Sequence, residues 1–468
     1  MNLVQAFSSA IVLMGLLQVH AANPTNVAVS KEKSSRPNIV LIMADDLGWM
    51  DLHCQGNDLL DTPALDKLAT QGVRFTNGYA AAAVCTPTRA AMMTGYSPAR
   101  LGITNHAPGN PDHVDKKTQL KGADWTTYLS LNHTTIAERL KQAGYATGFV
   151  GKWHLSHRPG KDAQGLFEPQ LRPEFQGFDL NIGGCRMGGP PSYFEPYGIP
   201  NIAPRKEGEY LPERIADESI HFIQQHKDDP FFLCLWNYSV HYPIQAPQHL
   251  IEKYKKRDGL ENPSYAAMIE GMDTSIGRIL NQIDELNLSK NTLLIFTSDN
   301  GSLFGNQPLR KNKGYLYEGG IRVPWIVRWP GKIDAGTTCD TPIISTDVFP
   351  TILEATGIDT PKDEICDGQS LVPLLTNTGE WKRQSLYFHS PNYAFHKRNR
   401  LGSAIRHGDH KLIRWFDDDS VELYDLKTDL GEKQNLAKQK PELAATLRKQ
   451  LEDWCQSVDA RKPIKVDQ

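Results

Sequence analysis

At 468 residues the chain exceeds the roughly 250–300 residues at which a single core stops growing, so two packed units are expected. A formal net charge of −3 with 22% charged residues excludes both an overall basic nucleic-acid footprint and a polyanion-like surface. Any anionic polymer must therefore meet a local basic pocket. The N-terminus carries an apolar run from Ala6 to Val19, then Val19-His20-Ala21, which reads as a signal peptide over 1–21 followed by a polar linker over 22–36. No later stretch approaches the about 18 unbroken apolar residues of a membrane span. A secreted or periplasmic protein without integral membrane association is expected. Short apolar runs recur at Asn38–Met43, Ala146–Gly151, Phe231–Asn237, Leu293–Ser298 and Val323–Arg328, with helical segments between them. This is the α/β pattern of one largely buried sheet. Thr62-Pro63 opens a helix that Gly72 ends, and Thr135 with Glu138 forms a capping box for a helix ending near Gly144. Met268, Met272, Ile276, Ile279 and Ile283 mark one face of a longer helix. Residues 155–212, rich in Gly, Pro and aromatics, read as a long functional loop. From about residue 380 the texture changes to strands at Leu386–His389, Ser403–Arg406, Lys411–Phe416 and Val421–Leu426, then a helix over Pro441–Ser457. The expected organisation is an α/β domain over 37–380 with a smaller C-terminal α+β unit over 381–468.

The chemistry-bearing residues cluster just past the predicted strands. Asp45 and Asp46 follow the first run, and Asp299-Asn300-Gly301 follows the fourth. Adjacent acids repel, and a hard cation removes that cost; oxygen-only ligands favour calcium or magnesium over zinc. Lys152 and His154 follow Ala146–Gly151, and His241 follows Phe231–Asn237, placing an anion-binding charge and proton carriers at the same sheet edge. Lys313 stands beside Gly314 as a second cation. Seven cysteines are an odd count, and the six besides Cys85 could pair in fifteen ways, or not at all. Cys85-Thr86-Pro87-Thr88-Arg89 is the most informative run, since a Cys-x-Pro-x-Arg pattern is expected by chance only about 0.02 times here.

Asp45-Asp46, Cys85-x-Pro87-x-Arg89, Gly151-Lys152-Trp153-His154, His241-x-Pro243, Asp299-Asn300-Gly301, Lys313-Gly314 and Tyr317-Glu318-Gly319-Gly320 resemble, in order, the motifs of formylglycine-dependent type I sulfatases. The likeness spans roughly residues 37–456, with Ser156 standing where glycine is frequent and Leu430 where proline is. The resemblance implies an alkaline-phosphatase-like fold: a large mixed, mostly parallel sheet sandwiched by helices, with a smaller C-terminal α+β domain containing an antiparallel sheet. It implies a sulfuric ester hydrolase acting on a sulfated carbohydrate or an aryl sulfate, with Cys85 converted to formylglycine by a maturation enzyme. Asp45, Asp46, Asp299 and Asn300 would hold one cation, Ca2+ rather than Mg2+. Arg89 would hold and balance the hydrated aldehyde, with residue 85 capping a helix. Lys152 and Lys313 would neutralise sulfate, His241 would protonate the leaving alcohol, and His154 would assist release of the product. His106, His157, Arg158, Arg186 and Tyr193 could line a sugar pocket. Two other readings remain: a phosphate or phosphonate monoester hydrolase of the same superfold, against which stands the single oxygen cluster, and an inactive calcium-dependent glycan-binding homologue.

Overall fold

Eight strands form the central sheet, and their apolar runs are what makes them strands: Asn38–Ala44 (β1), Val73–Phe75 (β2), Ala146–Gly151 (β3), Leu180–Ile182 (β4), Phe231–Trp236 (β5), Thr292–Ser298 (β6), Trp325–Arg328 (β7) and Thr337–Cys339 (β8). β1, β5 and β6 are buried along their whole length, as strands covered on both faces must be. The computed structural model describes residues 36–110, 112–157, 169–359 and 365–466. The expected signal peptide, all of the linker but Arg36, and Arg158 lie outside the described residues. The spatial order is β8-β2-β7-β6-β1-β5-β3-β4. β1 runs parallel to β5 and β6, with Ile39 opposite Phe232 and Ala44 opposite Ser298. β7 alone runs against both of its neighbours, so the sheet is mixed but mostly parallel.

Helices cover both faces. Leu211–Gln225 and Pro263–Glu285 bury Ile215, Phe222, Met268, Met272 and Ile276 against one side. Cys85–Thr94, Ile136–Gln142 and Val348–Thr356 bury Met92, Leu140 and Ile352 against the other. The capping box forms as expected: the Thr135 hydroxyl accepts from the Glu138 N–H at 3.2 Å, and a Glu138 carboxylate oxygen accepts from the Thr135 N–H at 2.7 Å.

A second, four-stranded antiparallel sheet consists of Ser385–Ser390 (β9), Gly402–His407 (β10), His410–Trp415 (β11) and Val421–Asp425 (β12). Its residues alternate between faces with period two. Ile405, Leu412 and Leu423 pack under Leu447 and Leu451 of the helix Pro441–Ser457. Phe388, Ala404, Ile413 and Tyr424 pack against Tyr79, Leu316 and Ile321 of the larger layer. The described residues cluster as one unit.

Three local expectations shift. The loop expected over 155–212 contains the strand Leu180–Ile182 and ends at the helix Leu211–Gln225; a half-exposed three-residue strand carries no periodic signal and exists because β3 offers it hydrogen bonds. β7 begins at Trp325 rather than Val323, since Pro324 has no N–H for the ladder. Cys85 is the first helical residue and Val84, extended at φ −142°, precedes it, so the cysteine sits one position inside the helix instead of capping it.

Candidate active site

β6, β1, β5 and β3 are neighbours and parallel, so their carboxyl ends open on one edge, where open α/β sheets place ligands. Asp45-Asp46, Lys152 with His154, His241 and Asp299-Asn300 all lie in the segments that leave those ends. Backbone bonds lock the segments together. The Asp45 N–H donates to the Ser239 carbonyl at 2.8 Å, the Val240 N–H to the Asp45 carbonyl at 2.6 Å, and the Lys152 N–H to the Trp236 carbonyl at 2.7 Å. Asp46 and His154 both hold left-handed backbone, at φ +65° and +58°, a cost that non-glycine residues carry mainly at functional positions. Gly301 admits no side chain: a Cβ there would lie 1.9 Å from the Gly319 carbonyl oxygen. That contact, with the Lys313 N–H donating to the Ser302 carbonyl at 2.9 Å, brings the Lys313–Gly320 run against the acids.

The charged groups form a closed set. Lys152 Nζ lies 2.5 Å from Asp45 Oδ2, and Lys313 Nζ 2.5 Å from Asp46 Oδ1. Arg89 Nε and Nη2 donate to Asp299 Oδ2 at 3.0 and 2.7 Å, and Nη1 donates to the Lys152 carbonyl at 2.5 Å. The hydrogen bonds of Arg89 thus go to a carboxylate of the cluster and to the strand end, not to residue 85. All of these side chains are buried, and three cations balance three carboxylates. Burial, then the charge of Asp299, pushes the Asp45 carboxyl well above its ordinary value despite Lys152. Burial also opposes ionisation of Asp46, but Lys313 and His241 outweigh it and hold that carboxyl low.

The same cluster has oxygens to spare. Asp45 Oδ1, Asp46 Oδ2 and Asn300 Oδ1 are buried without a hydrogen-bond partner, a state that costs free energy unless something binds there. Asp45, Asp46 and Asp299 each present an oxygen, all within 4.8 Å of one another, while Asn300 Nδ2 is directed to Asp46 Oδ1 at 2.7 Å, leaving its oxygen free. Orphaned, buried, oxygen-only acceptors fit a hard divalent cation.

Cys85 Sγ lies 3.3 Å from His154 Nδ1. His154 Nε2 is 2.5 Å from the Ala107 carbonyl, which can only accept, so Nε2 carries the proton and Nδ1 turns a lone pair towards residue 85. Burial, then Lys152, keeps this imidazole neutral, well below its ordinary pKa. His241 has the opposite tautomer: Nδ1 donates to the Tyr242 carbonyl at 2.9 Å and Nε2 lies 3.7 Å from Asp46 Oδ2. Burial, then Lys313, pushes its pKa down to about 3. Burial likewise raises the Cys85 thiol, so the encoded side chain is no ready thiolate. Cys54, Cys85, Cys185, Cys234, Cys339 and Cys455 are free thiols.

A cavity of about 270 Å³ opens over these groups, with Cys85, His154, His241 and Lys313 in its wall beside His106, Tyr242 and Phe395. Larger clefts of about 400 and 580 Å³ contain none of the catalytic candidates; here chemistry identifies the site better than size. Of the expected sugar-pocket residues, His106 lines the cavity, whereas half-buried His157 and Arg186 do not. Tyr193 is a core residue: its hydroxyl lies 2.5 and 3.0 Å from the carbonyl oxygens of Tyr238 and His241, and so it holds the His241 turn. Tyr242, Leu303 and Phe395 line the cavity but carry no signal in the sequence, apart from the adjacency of Tyr242 to His241.

Comparison with known proteins identifies the family. The family model described as Sulfatase matches residues 37–358, and the model described as N-sulphoglucosamine sulphohydrolase, C-terminal, matches 311–457. The chain is 31% identical over 521 residues to a sulfatase of Formosa agariphila, covering 95% of this chain and 93% of that protein. It is 30% identical to the N-acetylgalactosamine-6-O-sulfatase of Bacteroides thetaiotaomicron, covering 90% and 93%, and 34% identical to human arylsulfatase A, covering 80% and 74%. A solved sulfatase structure concerned with glycosaminoglycan metabolism by Bacteroides thetaiotaomicron superposes with TM-score 0.70 at 29% identity, covering 90% of this chain and 99% of that one.

Proposed function

The chain belongs to the sulfatase family and hydrolyses sulfate esters; on that premise we propose that it removes sulfate from a sulfated carbohydrate, using a formylglycine formed at Cys85 beside one divalent cation, calcium, held by Asp45, Asp46, Asp299 and Asn300. The observation that carries the proposal is the pairing of Cys85 with a neutral histidine nitrogen 3.3 Å away, next to carboxylate and amide oxygens that have no partner. When present, the formylglycine supplies a hydrated aldehyde as oxygen nucleophile, and the cation supplies Lewis-acid polarisation. With the carboxylates facing a cation, the ammonium groups of Lys152 and Lys313 are available to the sulfate oxygens, a preorganised contribution worth several kcal/mol of barrier, on the order of 3.

His154 Nδ1 is oriented by the Ala107 carbonyl to take a proton from residue 85. Arg89 holds Asp299 and keeps a positive charge near that residue. His241 is the general acid for the departing alcohol, delivering its proton from Nε2 while Nδ1 remains on the Tyr242 carbonyl. Its low pKa reflects burial and the cationic lysines; a bound sulfate adds negative charge beside those lysines and favours the imidazolium, which ties proton availability to substrate binding.

A relative named as an N-acetylgalactosamine-6-O-sulfatase and a solved complex with D-glucosamine-2-N,6-O-disulfate, 25% identical to this chain, support a sulfated sugar. The cavity of about 270 Å³ suits a single sugar ring better than a four-ring steroid. We also assign the protein to a secreted or periplasmic location, matured by a formylglycine-generating or equivalent enzyme. The test combines mass spectrometry of the peptide bearing residue 85 with sulfate release from sulfated monosaccharides, in calcium, in magnesium and after chelation. Aldehyde at residue 85 with calcium-dependent release is expected. Confirmed aldehyde without sulfate release from any ester would refute the reading.

A further inference from the structure

Two aromatic rings stand unusually bare in the cavity wall. Phe395 is 50% exposed and Tyr242 51%, and both line the cavity above Cys85. An isolated exposed aromatic needs no explanation, but the support given to Phe395 does. The connection from β9 to β10 is strapped down on either side of it. Asn392 accepts from the Thr104 hydroxyl at 2.6 Å and donates to the Ala123 carbonyl at 2.7 Å. Asn105 donates to the Tyr393 carbonyl at 3.0 Å. Asn399 accepts from the Ala394 N–H at 2.8 Å and donates to the Asn392 carbonyl at 3.0 Å. On the far side His396 stacks on Tyr315 with centroids 4.7 Å apart. Tyr393, Ala394 and all three asparagines are buried. One anchor adjoins His106 and the Ala107 carbonyl that orients His154; the other adjoins Lys313. Between them the Phe395 ring lies 5.5 Å from Lys313 Nζ and edge-on to His106 at 6.1 Å. Tyr242 is backed by Phe304, with ring centroids 6.5 Å apart.

We propose that Phe395 and Tyr242 are specificity-determining contacts that take the apolar C–H faces of a single pyranose ring, whose sulfate is directed down to Cys85 and Lys313. This rests on the sulfated-carbohydrate reading above and deepens it. Ring stacking on rigidly held aromatics supplies affinity at low ordering cost. The cavity volume of about 270 Å³ lies just below the usual range of roughly 300–1,000 Å³ for ligand sites, which suits one ring with its sulfate.

Calorimetric titration separates this from the fate of the catalytic reading, because it needs no turnover. In a Cys85→Ala background, N-acetylgalactosamine 6-sulfate, glucosamine-2-N,6-O-disulfate, 4-nitrophenyl sulfate and inorganic sulfate are each titrated against Phe395 and Phe395→Ala, Phe395→Leu and Phe395→Tyr. Expected is a loss of saccharide affinity of about tenfold in Phe395→Ala, with inorganic sulfate changed less than about twofold and Phe395→Tyr near the parent. Phe395→Leu, apolar but not flat, falls between. No binding of either saccharide to the parent, an equal loss for sulfate and saccharide, or a loss confined to the aryl ester would each overturn the proposal. Failure of the matured wild type to release sulfate would instead bear on the catalytic reading alone.

Discussion

Replacing Lys411 by methionine tests what joins the two sheets. Lys411 on β11 places Nζ 2.9 Å from Glu318 Oε1 and 2.9 Å from Glu432 Oε1, and all three side chains are fully buried. Glu318 retains another cation, since Arg322 Nε donates to its second oxygen at 2.8 Å, as does the Tyr79 hydroxyl at 2.7 Å. Glu432 has no such reserve; its second oxygen accepts only the Glu318 N–H, at 2.7 Å. At 2.9 Å and an effective dielectric of about 20, each contact is worth about 6 kcal/mol before desolvation. Removing one partner of a buried pair typically costs about 3–5 kcal/mol net, and we expect Lys411→Met to cost about that at pH 8. The cost should shrink at lower pH. Burial already raises the Glu432 carboxyl to about 7 against the pull of Lys411; without the lysine it rises further, so the folded variant binds a proton there. Stability from that proton is present below the ordinary pKa near 4.5 and is lost as pH rises through the folded value. Denaturant unfolding followed by tryptophan fluorescence measures this, with Lys411→Met/Glu432→Gln as the second arm. A single variant within about 1 kcal/mol of wild type at pH 8, or a double variant no more stable than the single, would refute the reasoning.

Three further outcomes are expected. Chelation should reduce sulfate release to below about 1% while leaving the circular dichroism spectrum and a single melting transition intact, because Lys152–Asp45 and Lys313–Asp46 pairs balance the vacated carboxylates; unfolding on chelation would contradict the charge closure. His241→Ala should lower kcat on a sulfated sugar by about 10²–10⁴-fold and far less on an activated aryl sulfate, and equal losses would remove the general-acid assignment. Asp273 accepts the N–H groups of Ala64 and Leu65 at 3.0 and 2.8 Å, yet burial raises its carboxyl from 3.8 to about 7. The folded state therefore holds a proton that the unfolded state releases, and wild-type stability falls as pH rises from about 4 to 7, by at most about 1.4 kcal/mol per unit. Asp273→Asn should flatten that slope, as seen in unfolding midpoints across the interval.

The chemistry was legible because it is local. β1, β3, β5 and β6 are apolar runs buried in the sheet, and their ends announce themselves where the apolar run stops and Asp45, Lys152 or Asp299 begins, with His241 five residues beyond Trp236. Parallel neighbours then bring those ends together without further information. Edge strands such as Leu180–Ile182 and Thr337–Cys339 were not legible, since each is three residues long and partly exposed and owes its conformation to the ladder it joins.

Recognition residues are long-range in origin, and there the sequence is mute. Tyr193 and Phe395 are both aromatics in Gly-, Pro- or Asn-rich connections, and nothing local separates a core residue from a wall residue. What decides is where the chain returns. Tyr193 meets the carbonyls of Tyr238 and His241, giving its hydroxyl a buried partner and removing its ring from the cavity. Phe395 is carried by a strap whose anchors, Asn105 and Lys313, lie far away in sequence on either side of the cavity. Strand-end groups can therefore be read one motif at a time, whereas the cavity wall at Phe395 exists only once the second sheet has packed on the first. The buried Lys411–Glu318–Glu432 cluster lies at that junction, where Lys411 of the second sheet meets Glu318 of the larger layer.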